Sequence, residues 1–116
     1  MLLSKEAILS AKNAPPETVE VPEWGGSVCV KVMTAAEREA YEDAVYDDEG
    51  TAAAPHPAVQ LLVRTVCDDS GKLLFGADDV AALAAKDAPV LMRLYRIARK
   101  VNKIGREFVE ADAKNS

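Results

Sequence analysis

One stretch constrains this chain more than any other: Thr18-Val-Glu-Val-Pro-Glu-Trp-Gly-Gly-Ser-Val-Cys-Val-Lys-Val-Met-Thr34. Two β-branched runs alternate with other residues on either side of Gly25-Gly26, the pattern of a β-hairpin closed by a two-residue turn. The favoured turns of that length need positive φ, which glycine adopts without a Cβ clash. With the turn at Gly25-Gly26, Trp24 opposes Ser27, Val21 opposes Val30 and Glu20 opposes Lys31. Directly opposed residues share a sheet face, so Val19, Val21, Val28, Val30 and Val32 fall on one side. Pro22, Trp24, Cys29 and Met33 fall on the other, around a Glu20–Lys31 charge pair. Two readings of that second face stand side by side. Large apolar residues are usually covered by another part of their own chain; left uncovered, they would form an apolar strip for a partner. A lone hairpin is marginal in water, so a helix has to cover at least the valine face.

The remaining chain supplies helices. Ser4 can cap a short one reaching about Lys12, with Leu3 and Ile8 placed as a hydrophobic staple. Asn13-Ala-Pro-Pro16 ends it. Thr34-Ala-Ala-Glu37 is a capping box that opens a helix carrying Ala36, Ala40, Tyr41, Ala44 and Val45 on a weak apolar stripe. Residues 47–57, with Asp47-Asp-Glu-Gly50 and Pro55-His-Pro57, read as a mobile internal loop. Pro57 suits a first helical turn, and Val59, Leu62, Val63 and Val66 then recur at helical spacing to about Cys67. Asp68-Asp-Ser-Gly-Lys72 is a turn, and Leu73-Leu-Phe75 a short extended piece. Asp78 and Asp79 place negative charge in the first turn of a short helix, where the helix dipole favours it. The strongest helix follows Pro89: Val90, Leu91, Leu94, Ile97, Ala98, Val101 and Ile104 form a continuous apolar stripe. Arg93, Arg96, Lys100 and Lys103 line its polar flank. Gly105 breaks or caps it, one further helical piece fits 106–113, and 114–116 are a loose end. The expected fold is α+β: a mainly helical single domain over 1–116, with an N-terminal hairpin (about 18–33) packed against four to six short helices.

Charge is unevenly distributed. Residues 1–58 carry four basic and eleven acidic side chains, and residues 59–116 ten basic and eight acidic, giving −7 and +2 and the overall −5. Within 86–106 seven basic residues meet only Asp87. Such a run serves either as a solvated face partly paired with the acidic helix near Glu37, or as a docking surface for an acidic helical partner.

Catalytic and metal chemistry finds little here. His56 is the only histidine and sits between two prolines, without the rigid third group that a triad needs. No Cys-x-x-Cys, His-x-x-x-His or glycine-rich phosphate loop occurs. Asp68 to Asp79 fails as a calcium loop, because Leu73 stands where the glycine should be and Asp replaces the last glutamate. The expectation is a non-enzymatic module with no cofactor and no metal. The sequence pI of 4.9 and the lack of an aromatic-interleaved basic pattern argue against a nucleic-acid binder. No run approaches a membrane span, the start does not read as a signal peptide, and Cys29 and Cys67 read as reduced cytoplasmic thiols.

The order of motifs also resembles a known family. Leu2-Leu-Ser-Lys-Glu-Ala-Ile-Leu9, the Val19–Val28 hairpin with Pro22-Glu-Trp-Gly-Gly26, the Thr34-Ala-Ala-Glu-Arg-Glu39 helix start, the Asp68–Phe75 turn and the basic-apolar helix to Asn102 together resemble the small tail assembly chaperones of long-tailed bacteriophages. The resemblance covers nearly the whole chain. It implies a protein of the host bacterial cytoplasm, not part of the mature virion, that binds the tape measure protein, keeps it soluble and assists tail tube polymerisation. It further implies that a frameshifted longer form engages the tail tube protein, the present chain being the shorter product; self-association is a further expected partnership. The family's motifs carry no catalytic residue. On the residues themselves, Trp24, Cys29 and Met33 are the candidates for apolar partner contact, and Arg93, Arg96, Lys100 and Lys103 for electrostatic steering. The alternatives are a small cytoplasmic nucleic-acid-binding or regulatory protein, or a minor structural tail component.

Overall fold

A computed structural model describes residues 1–105; the expected helical piece at 106–113 and the loose end at 114–116 lie outside the described residues. The order of elements is α1 (Lys5–Ser10), β1 (Glu17–Val21), β2 (Gly26–Val30), α2 (Ala35–Val45), α3 (Pro57–Val63), β3 (Val66–Cys67), α4 (Val80–Ala84) and α5 (Ala88–Val101). The three strands form one antiparallel sheet in the order β1-β2-β3. The fold is α+β, as the sequence indicates.

The hairpin is present, but its turn differs from the two-residue one. Pro22 cannot donate to the ladder, so β1 stops at Val21 and Pro22–Trp24 forms a 3₁₀ turn closed by Gly25 at φ 76°. The Gly25 N–H donates to the Pro22 carbonyl at 3.0 Å. Val19 therefore opposes Val28, and Val30 opposes Glu17 instead of Val21. The slip is four residues, an even number, so the side chains keep their faces. Val21 and Val30 are still fully buried. The expected Glu20–Lys31 pair is lost: Glu20 opposes Ser27, and Lys31 Nζ lies 2.9 Å from Glu37. Val32, placed on the valine face, stands 40% exposed beyond the end of β2.

The helix expected to reach about Cys67 ends at Val63. Thr65 terminates it. Its buried hydroxyl donates to the Leu61 carbonyl at 2.9 Å, and its own carbonyl accepts from the Lys31 N–H at 2.9 Å. The chain then runs as β3, with Val66 opposite Val30 and Cys67 opposite Cys29. Periodicity could not separate these outcomes, because Val66 suits both the helical stripe and a buried strand.

The core lies between the sheet and the helices. Helix α3 is buried on several sides, through Val59, Leu61, Leu62 and Val63, and packs on α5, α4 and α2. Helix α5 turns Val90, Leu91, Leu94 and Ala98 inward. Helix α2 opens with the expected capping box: Thr34 Oγ1 accepts from the Glu37 N–H at 3.1 Å, and Glu37 Oε1 accepts from the Thr34 N–H at 2.8 Å. It buries Tyr41 and Val45, which share a face at i, i+4; Ala36, Ala40 and Ala44 are exposed. Segment 47–57 is hydrogen-bonded back on itself. Tyr46 bridges to Ala52, and Asp47 Oδ1 accepts from the N–H groups of Glu49 and Thr51 at 3.0 and 2.9 Å.

Asn102 joins the end of α5 to the end of β2. Its Oδ1 accepts from the Met33 N–H at 2.7 Å, and its Nδ2 donates to the carbonyls of Lys31 and Ala98 at 3.1 and 3.0 Å. Arg38 Nη1 of α2 donates to the Asn102 carbonyl at 2.9 Å. Helix α5 thus stops at Val101, with the chain reversal taken by Lys103 at φ 52°, before Gly105.

Candidate partner-binding surface

The structure separates the three apolar residues proposed for a single strip. Met33 is only 7% exposed and belongs to the core. Of the two readings of that hairpin face, the covered one holds for Met33, whose N–H donates to Asn102 Oδ1; buried in the core, it is not available as the partner contact it was a candidate for. Cys29 is half-buried, facing Cys67 across the sheet, with its Sγ 3.7 Å from Thr18 Oγ1. Both thiols are free, and burial pushes the Cys67 thiol pKa up, which disfavours the thiolate.

Trp24 remains open, at 40% exposure. It stands at the tip of the hairpin, over an apolar groove of about 430 Å³ shared with Phe75, Ala82 and Leu83 and edged by Asp79 and Lys86. A smaller cleft of about 100 Å³ continues under Trp24 to Val28, Leu74 and Leu91. The sequence pointed to Trp24 but not to Phe75, Ala82 or Lys86, because the groove is made by loop and α4 residues far along the chain. The extended Leu73-Leu-Phe75 piece was its one local signal.

Of the four basic residues, Arg93 has a defined partner. Its Nη1 and Nη2 donate to the two oxygens of Glu23 at 2.6 and 2.9 Å. This fork-to-fork geometry is the strong form of a charged hydrogen bond, and it ties the hairpin turn beside Trp24 to α5. The Arg93 guanidinium holds the Glu23 carboxyl well below the usual carboxylate range, at about 2. Arg93 thus pairs with the hairpin tip and not with the acidic α2 helix, whose Glu37 is taken by Lys31. Arg96, Lys100 and Lys103 are exposed and make no ion pair among the described residues. Arg96 and Lys100 share a face of α5 with Arg93, Lys100 about 10 Å along the axis from it; Lys103, expected on the same flank, lies beyond the end of the helix in the left-handed reversal.

A second concavity, of about 720 Å³, lies between α2 and the 47–50 turn and is lined by Glu42, Asp43, Asp47 and Asp48 with Arg38 and Tyr46. Among the described residues, no group of three or more His, Cys, Asp or Glu side chains is placed to hold a metal ion, and no helix is long and apolar enough to cross a membrane.

Known proteins share this architecture. A search of curated proteins returned no match. Among solved structures, the bacteriophage HK97 tail assembly chaperone superposes with a TM-score of 0.56 at 22% identity, covering 86% of this chain and 94% of that one. At that identity the likeness establishes the fold. The family model described as phage tail assembly chaperone matches residues 4–114, nearly the entire chain, and on that match the protein belongs to the phage tail assembly chaperone family.

Proposed function

We propose that this chain binds the tape measure protein, keeps that long helical protein soluble, and assists tail tube subunits to polymerise around it. It acts in the host cytoplasm, outside the finished virion, and a frameshifted longer form engages the tail tube protein. The family's role is assembly without catalysis. The single observation that supports this reading best is Trp24, half-exposed over an apolar groove and clamped through Glu23 and Arg93 to the helix that presents Arg96 and Lys100, with Lys103 just beyond its end. An amphipathic helix laid into such a groove would bury its apolar face against Trp24, Phe75 and Ala82. Its acidic flank would lie along α5, where charge sets the encounter rate more than the final affinity.

The contact set is accordingly Trp24 with Arg96, Lys100 and Lys103. Arg93 positions the turn, Cys29 is at most peripheral from its half-buried place beside Cys67, and Met33 has its role in the core. The test is capture of the tape measure protein on the immobilised chain at low and at high salt. Retention at high salt identifies the groove as the main anchor; loss with salt shifts the weight to the basic face. No capture in either condition would contradict the reading.

A further inference from the structure

The two cysteines of this chain face each other. Cys29 of β2 and Cys67 of β3 are directly opposed in the antiparallel ladder, so their side chains leave the sheet on the same side. The Lys31 N–H donates to the Thr65 carbonyl at 2.9 Å. Two residues along the ladder, Cys29 and Cys67 fall at the next hydrogen-bonded position, where opposed Cα atoms stand about 5.5 Å apart. A disulfide bridges Cα atoms separated by about 4.4–6.8 Å, so the backbone already holds this pair at bonding range. The sulfurs also sense one another: burial, and after it the neighbouring Cys29, push the Cys67 thiol pKa up.

The two thiols differ in access. Cys67 is 1% exposed, enclosed between Cys29 on one side and Leu73, its bridge partner, on the other. Cys29 is half-buried and borders the exposed Thr18, whose Oγ1 lies 3.7 Å from its Sγ. A reagent from solvent therefore meets Cys29 first.

We propose that Cys29 and Cys67 form a redox-modification site, at which Cys29 reacts with a low-molecular-weight disulfide and Cys67 resolves the adduct. Cys29 gives its proton to solvent, and its thiolate attacks one sulfur of the small disulfide. That S–S bond breaks, one small thiol leaves, and a mixed disulfide stays on Cys29. Cys67 then loses its proton, attacks the Cys29 sulfur and expels the second small thiol. Two protein thiols are oxidised to one disulfide, and one small disulfide is reduced to two thiols.

The bond would staple a strand of only two residues to the middle of the sheet. That strand carries the segment after it: the Asp68 N–H donates to the Lys72 carbonyl at 2.9 Å, and the Leu74 N–H to the Val66 carbonyl at 3.2 Å. Leu74 and Phe75 wall the apolar space under Trp24, so oxidation fixes one wall of the groove. Neither the bond nor this effect depends on what occupies the groove.

The reduced full chain is incubated with oxidised glutathione under native conditions, and remaining thiols are trapped for intact-mass measurement. The expected product is a single chain lighter by two hydrogens, with neither cysteine trapped. Its urea midpoint lies above that of the reduced chain, because the closed loop restricts the unfolded state. Cys67→Ala stops the reaction at a glutathione adduct on Cys29, and Cys29→Ser leaves the enclosed Cys67 unmodified while the chain is folded. Hydrogen exchange at the Leu74 amide slows on oxidation. Thiols that stay free, an adduct that persists on the wild-type Cys29, or a disulfide formed only in urea or between two chains would overturn the inference. An oxidised chain whose Leu74 amide exchanges at the reduced rate would overturn its link to the groove wall.

Discussion

Asn102 concentrates more of this structure in one side chain than any other residue. It is 6% exposed and satisfies the Met33 N–H and the Lys31 carbonyl, two backbone groups that β2 leaves unpaired where it ends. Removing one partner from a buried hydrogen bond leaves the other desolvated, at about 1–3 kcal/mol. Asn102→Ala is expected to lower stability by about 2–3 kcal/mol in urea denaturation, whereas Asn102→Asp keeps the acceptor for Met33 and loses the donor to Lys31. Glu23 and Arg93 give a second prediction, one of pH. The folded Glu23 carboxyl titrates near 2, below its unfolded value, so the clamp contributes fully above the unfolded value and is lost as pH falls through the folded one. Following the Glu23 carboxyl by NMR should show it charged at pH 4, and Arg93→Gln should return it to the ordinary carboxylate range. A Glu23 that already titrates in that range in the wild-type protein would remove the clamp from this account.

The hairpin shows at the element scale what a local pattern can and cannot specify. Alternation placed Val19, Val21, Val28 and Val30 on the core face, and an even slip preserved that result. The two-residue turn that Gly25-Gly26 suggests does not form, because the missing N–H of Pro22 ends β1 early. The two glycines now make different predictions. Gly25 needs positive φ and Gly26 does not, and an added Cβ meets nothing within 4 Å at either. Gly25→Ala should cost about 1–2 kcal/mol from left-handed strain; Gly26→Ala should change little. Equal costs would restore the two-residue turn. Capping signals at Ser4 and Thr34 and the stripe of α5 were legible for the same reason as the valine face: their partners lie within a few residues. Strand β3 was not. What ends α3 at Val63 is the pairing of Thr65 with Lys31, across half the sheet, and no local spacing records it. Within α3, Leu62→Ala should cost about 2–5 kcal/mol, as expected for a leucine with no exposed surface.

At the scale of the whole molecule, the candidate site was half legible. Trp24 and the α5 face could be named from the sequence, because a large apolar residue at a hairpin tip and a basic flank on an amphipathic helix are local facts. The clamp that joins them connects residues 70 apart, and the groove under Trp24 is walled by Phe75 and Ala82 from other elements. Met33 illustrates the reverse case: alternation sets it beside Trp24, yet its N–H donates to Asn102 and its side chain lies in the core. What results is one apolar groove with a cationic helix alongside, on a protein whose overall charge is −5. The proposed binding of the tape measure protein rests on that surface. The most direct measurement is the soluble fraction of the tape measure protein co-expressed with this chain, or with a variant combining Trp24→Ser, Arg96→Glu and Lys100→Glu that retains its thermal unfolding transition. The tape measure protein is expected to be soluble with the wild-type chain and insoluble with the variant. A tape measure protein that stays insoluble with the wild type, or equally soluble with both, would contradict it.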